Sequence, residues 1–117
     1  MAGNRQRRIN GEMQKILADI IRSEMKDPRI SIMTSVIRVD VTNDLSYATA
    51  YISVYDTEEM QKSTISALEH ALGFLRSEVS KRMNLRKMPE IRIMEDHSME
   101  QSDKIAKILN DIGAKDE

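Results

Sequence analysis

Residues 35–55 alternate apolar and polar side chains in two successive runs, and that period excludes a helix from the middle of the chain. From Ser35 to Thr42, Ile37, Val39 and Val41 fall on one side and Arg38 and Asp40 on the other. From Leu45 to Tyr55, Ala48, Ala50, Ile52 and Val54 share one face, and Tyr47, Thr49, Tyr51, Ser53 and Tyr55 share the other. Thr42-Asn43-Asp44 supplies turn chemistry between the runs, so together they read as a β-hairpin. Helical stripes flank it. Ile9, Met13, Ile16, Leu17, Ile20 and Ile21 give a core-facing helix from about Asn4 to Met25, which Asp27-Pro28 stops because proline disfavours the α conformation in the residue before it. From Thr57 to Met83, the set Ile65, Leu68, Leu72, Leu75, Val79 and Met83 keeps helical spacing straight through Gly73. A mid-helix glycine costs roughly 0.5–1 kcal/mol relative to alanine. The stretch is therefore two helices nearly in line, or one bent at the glycine. Glu90 to Glu95 makes a third strand with Ile91 and Ile93 inward. Ser98 and Gln101 have the spacing of a capping box opening a last helix, with Ile105, Ile108, Leu109 and Ile112 as its narrow apolar stripe, Gly113 at its C-terminal cap and a loose tail beyond.

At 117 residues the chain suits one domain. It has no cysteine, which excludes disulfides and thiolate chemistry and agrees with a reducing cytoplasm. No apolar run approaches the roughly 18 residues of a membrane span, and MAGNRQRRIN lacks the apolar segment of a secretion signal. Glycines at 3, 11, 73 and 113 build neither a phosphate loop nor a dinucleotide fingerprint. Glu69-His70 and Asp96-His97 are adjacent residues that point in different directions, so neither pair forms a catalytic or metal site by itself. No catalytic residue, metal or cofactor is expected. The three tyrosines on one strand face fit either base stacking or cross-strand packing, the commoner use. Of nine methionines, Met13, Met83 and Met60 have core spacing.

The formal net charge of −1 conceals an uneven distribution. Arg5, Arg7 and Arg8 crowd the start with no acid among them. Arg76, Lys81, Arg82, Arg86, Lys87 and Arg92 follow the glycine with only Glu78 and Glu90 between them. A single charge run is ordinarily a solvated face. Two such runs brought onto one surface would instead suit a polyanion.

Five segments, RRINGEMQKILADII, DPRI, VTNDLSYATAYISVY, ALGFLRSEVSKRMNLRKMPEIRI and DHSMEQSDKI, follow one another along nearly the whole chain. In this order the chain resembles the type II KH fold. Within it, the chain is similar to the ribosome-binding factor A family, whose interhelical kink is an A-x-G sequence, here Ala71-Leu72-Gly73, in place of the G-x-x-G loop of RNA-binding KH domains. The resemblance implies an α+β fold (an α/β sandwich) in the order helix, strand, strand, helix, kink, helix, strand, plus a C-terminal helix. It implies a KH-like RNA-binding domain over residues 1–96, with residues 97–117 as the helix and tail. The implied function is that of a monomeric, cytoplasmic, non-enzymatic assembly factor. It would bind the immature 30S subunit and its 16S rRNA around the 5′-terminal helix, assisting late maturation and 5′-end processing, including at low temperature. Phosphate contacts would fall to Arg76, Lys81, Arg82, Arg86 and Lys87, auxiliary RNA contacts to Arg5, Arg7 and Arg8, and control of shape to Ala71 and Gly73. An assembly GTPase is a further candidate partner. The chain departs from the family at Lys87-Met88-Pro89, where many members carry tyrosine and threonine before the proline; a charge replaces an aromatic ring. The competing reading is a KH-like scaffold that recruits another assembly factor, with RNA contacts incidental.

Overall fold

The computed structural model describes residues 3–98. Their elements are α1 (Gly3–Ser23), β1 (Thr34–Val41), β2 (Tyr47–Val54), α2 (Glu58–His70), α3 (Leu72–Arg82) and β3 (Glu90–Glu95). This is the α+β order that the resemblance implies. In the sheet β2 is central, antiparallel to β1 and parallel to β3. Parallel neighbours need a long crossover, and α2 with α3 provides it. The last helix expected from Ser98 onward, with Gln101, Ile105, Ile108, Leu109, Ile112 and Gly113, lies outside the described residues apart from Ser98 itself.

The core forms where the helical stripes meet one face of the sheet. Met13, Leu17 and Ile20 from α1, Leu68 from α2, and Leu75 and Val79 from α3 are buried against Ala48, Ala50 and Ile52 of the central strand. Met83 is also buried, whereas Met60 is half-buried. The small alanines let the helix layer approach the sheet backbone closely.

The hairpin turn is tied by side chains. Thr42 Oγ1 accepts from the backbone N–H of Ser46 and of Tyr47, each at 3.0 Å, and donates to Asp44 Oδ1 at 2.9 Å. Leu45 adopts φ 60°, a left-handed conformation unusual for leucine, and its side chain is buried. Burial of that side chain offsets a backbone cost of about 1 kcal/mol.

β1 departs from strict alternation. Val36 pairs with Ile52 and Arg38 with Tyr51, leaving Ile37 as the extra residue of a β-bulge. The buried set on β1 is thus Val36, Val39 and Val41, and Ile37 is only half-buried. The expectation that Ile37 shares the core face with Val39 and Val41 fails because one inserted residue shifts the side-chain phase on either side of it. α1 runs beside this edge strand and binds its backbone. Asn10 Oδ1 accepts from Val41 N–H at 2.9 Å, Gln6 Nε2 donates to Val41 O, and Gln14 Nε2 donates to Val36 O at 2.9 Å.

α2 starts at Thr57, whose Oγ1 accepts from Met60 N–H at 3.2 Å, with Glu58 and Glu59 favourably placed at the positive end of the helix dipole. It ends at Ala71, where φ −100° and ψ 12° leave the helical region. Ala71 N–H still reaches Ala67 O and Leu68 O, and its own carbonyl accepts from Leu75 N–H at 2.9 Å, opening α3. The break therefore falls at Ala71, and Gly73 is the second residue of α3.

Candidate nucleic-acid interface

Three segments distant in sequence meet at one end of the molecule: the start of α1, the β1–β2 turn and the loop from α3 to β3. Arg5, Gln6 and Ile9 of α1, Asn43 and Leu45 of the turn, and Arg86 of the loop line a recess of about 230 Å³. On the other side of Arg5, a second recess of about 420 Å³ has Arg8, Glu12, Met83, Asn84 and Leu85 in its wall. Lys87 Nζ lies 3.5 Å from Ser46 Oγ of the turn. Its charge also helps hold the Asp44 carboxyl below its usual range, after the hydrogen bonds from Thr42 and Ser46. The two basic regions thus share a surface, represented by Arg5, Arg8, Arg86 and Lys87. Arg7 is exposed on the same helical turns. Among the described residues, no carboxylate lies within ion-pair distance of Arg5, Arg7, Arg8 or Arg86. The first turn of α1 contains no acid, so the positive end of the helix dipole adds to these charges.

The remaining expected contacts have partners within the protein. Arg76 Nε donates to Pro89 O at 3.2 Å and Nη2 to Met88 O at 2.9 Å, pinning the loop before β3 onto α3. Lys81 Nζ is 3.0 Å from Glu78 Oε1, and this bond is the first cause of the lowered Glu78 pKa. Arg82 reaches back to α1, pairing with Asp19 Oδ2 at 3.0 Å and with Glu24. It clamps the end of α3 to α1. These partners come from distant segments or from the turn before, and a reading of local charge balance misses them.

Gly73 borders a recess of about 390 Å³ with Leu72, Arg76, Glu90 and Ile91, next to the loop that carries Lys87, since Arg76 Nη2 donates to Met88 O and Glu90 N–H to Ser46 O; Ala71 precedes it as the break between the helices. A Cβ added at Gly73 would meet nothing within 4 Å, and its φ is not in the left-handed range. Neither packing nor backbone geometry requires glycine there. What its absence of side chain provides is a bare patch of helix at the mouth of the recess.

The outer face of the sheet, turned away from the helices, holds the tyrosines. The Arg38 guanidinium lies 4.0 Å from the Tyr51 ring centroid and that of Arg92 3.7 Å from the Tyr47 ring. For these two rings the packing alternative describes what is found: a cross-strand arginine occupies the face that a base would use. Arg92 accordingly belongs to this face and not to the basic end. His97 Nε2 sits 3.5 Å from Glu95 Oε1 on an exposed turn, and His70 ends α2 in solvent. Among the described residues, no group of three or more histidines and acids could hold a metal ion, and no helix is long and apolar enough to cross a membrane.

Known proteins resemble the chain in sequence and in fold. The chain is 47% identical over 109 residues to the ribosome-binding factor A of Lachnospira eligens, covering 93% of this chain and 84% of that one. To the Staphylococcus carnosus ribosome-binding factor A it is 44% identical over 116 residues, covering 99% and 100%. A Thermotoga maritima protein, solved by solution NMR and described as a candidate ribosome binding factor A, superposes with a TM-score of 0.72 at 33% identity over 81% of this chain and 90% of that one. The crystal structure of ribosome-binding factor A from Thermus thermophilus superposes with a TM-score of 0.69 at 21% identity over 77% and 94%, a likeness of KH-like fold. With the family model for ribosome-binding factor A matching residues 5–109 as well, the chain belongs to the ribosome-binding factor A family.

Proposed function

We propose that this protein is a non-enzymatic assembly factor that docks on the immature 30S subunit through its basic end. There it contacts 16S rRNA near the 5′-terminal helix and assists late maturation, 5′-end processing and growth at low temperature. It works in the cytoplasm as a monomer, with residues 1–96 as the RNA-binding domain and residues 97–117 as an appendage. The observation that carries this reading is the convergence of Arg5, Arg8, Arg86 and Lys87 from opposite ends of the sequence onto one surface. Family membership supports the ribosome as the partner. Four cations presented together bind phosphates by releasing counterions, which gives affinity without a basic protein overall. Arg7 is an auxiliary contact. Arg76, Lys81 and Arg82 contribute less directly, by holding the loop and helices that carry the others. Ala71 and Gly73 set the shape of a second contact region beside the recess at Leu72.

Co-sedimentation with purified 30S subunits tests the proposal. Four phosphate contacts predict that wild-type affinity falls about a hundredfold between about 50 and 200 mM salt. The combined variant Arg5→Ala, Arg8→Ala, Arg86→Ala, Lys87→Ala is expected to remain in the supernatant with its fold intact. Arg82→Ala should leave the salt dependence unchanged. Binding by the fourfold variant equal to that of wild type, with little response to salt, would overturn the docking surface. That result would favour a scaffold that recruits a protein such as an assembly GTPase.

A further inference from the structure

The recess between the start of α1, the β1–β2 turn and the loop before β3 offers more than charge. Ile9 and Leu45, both buried, give it an apolar floor, and Arg5, Asn43 and Arg86 are the exposed side chains around them. Leu45 is held there with φ 60°, a conformation that a leucine adopts only at a cost. The turn does not account for Asn43. Thr42 and Asp44 on either side of it accept from the backbone of Ser46 and Tyr47, and Leu45 N–H donates to Thr42 O at 2.9 Å, so the turn closes without the Asn43 side chain. Among the described residues the Asn43 amide has no hydrogen-bond partner. Gln6 gives its Nε2 to Val41 O and keeps Oε1 as an acceptor. A surface that met phosphate alone would need the cations, but neither the apolar floor nor the amide.

We propose that this recess takes the base of one unpaired RNA nucleotide, with the phosphates on either side of it at Arg5 and Arg86. The proposal rests on the docking reading above and adds that the RNA is single-stranded at this point. Charge identifies the occupant as an anion: among the described residues, no carboxylate lies within ion-pair distance of Arg5 or Arg86. The floor and the amide identify it as a nucleotide. A base is a flat ring system with donors and acceptors along its edge, and splayed bases are recognised on that edge. Here the ring would lie against Ile9 and Leu45, and the Asn43 amide, with two donors and an acceptor, complements the edge. The recess of about 230 Å³ is smaller than the sites of about 300–1,000 Å³ that take drug-sized ligands, and suits one base rather than a stack. A duplex keeps its bases paired and stacked, so it meets the cations but leaves the recess empty. The recess shares no lining residue with the one beside Gly73.

Fluorescence anisotropy of the full chain with two end-labelled strands tests this. One strand is a uridine hexamer; the other is the same hexamer with every base removed, which keeps all of its phosphates. Wild type should bind the uridine strand at least about tenfold more tightly, the effect of burying one base and pairing its edge. Asn43→Ala keeps every cation, and an exposed position outside the turn's hydrogen bonds does not threaten the fold. In that variant the ratio should fall to about threefold or less. Equal binding of the two strands by wild type would overturn base capture and leave phosphate docking standing, because co-sedimentation with 30S subunits judges the docking separately. Failure to bind either strand, with salt-dependent binding to 30S intact, would overturn it too. A ratio unchanged in Asn43→Ala would place the base elsewhere on the molecule, and equal competition by a hexaglutamate peptide would give the recess to an acidic protein segment; each result overturns the proposal.

Discussion

Thr64 shows how much one side chain contributes to this fold. It is fully buried in α2, accepts the Ser31 N–H and donates to Arg29 O at 3.3 Å, so one hydroxyl joins two points of the loop between α1 and β1 to the helix, beside the Ser31–Asp56 and Ser63–Arg29 bonds. Thr64→Val keeps the volume and strands a buried donor. We expect a loss of about 1–3 kcal/mol in urea unfolding. Gly73 behaves oppositely, since its Cβ position is empty and its backbone conformation is open to any residue. Gly73→Ala should raise stability by up to about 1 kcal/mol. The same substitution should weaken 30S binding, because a methyl group then stands where the recess meets its ligand. A stabilised variant that binds as wild type does would remove the second contact region from the proposal. The sequence revealed the cost of this glycine but not its location: helical periodicity runs unbroken through Ala71, whose φ and ψ make the break.

At the scale of elements, ordered acids hold segments together, and this fixes the response to acid. Arg29 holds the Asp27 carboxyl down to about 2 in the turn after α1. Asp56 is lowered by Ser31 and then by the Thr57 N–H at the start of α2, and Asp19 by Ser23 and then Arg82. Each group is depressed in the folded state. Its stabilisation is therefore complete above the unfolded carboxylate pKa of about 4 and is lost as pH falls through the folded value. The urea midpoint should accordingly drop between about pH 4 and pH 2, and Asp27→Asn should flatten the lower part of that decline. Element identity was legible in the sequence because each element carries its own period: Leu17 and Ile20 mark a helix, Ala48 and Ile52 a strand. The bulge at Ile37 was not legible, since a single inserted residue leaves no trace in so short an alternation. The partners of Arg76 and Arg82 were hidden for another reason. Met88, Pro89, Asp19 and Glu24 become neighbours only after the helices pack.

Across the whole molecule, separation of charge matters more than its sum. A chain of net charge −1 gathers cations at one end, with Glu12 and Asp44 beside them, and carries many of its other acids on the helix surfaces and the far loops. It should therefore be retained on heparin at neutral pH, and the fourfold substitution at Arg5, Arg8, Arg86 and Lys87 should abolish retention. The sequence displayed both basic runs. It could not show that they meet, because that depends on the length of α1 and on the path of the chain from Met83 to Pro89. A further consequence follows from Gln6, Asn10 and Gln14, whose amides occupy both peptide groups of Val41 and the carbonyl of Val36. An incoming strand would have to displace all three to extend the sheet past β1. Edge-to-edge pairing of this protein is therefore hindered at β1, so strand addition at high concentration is directed away from that edge.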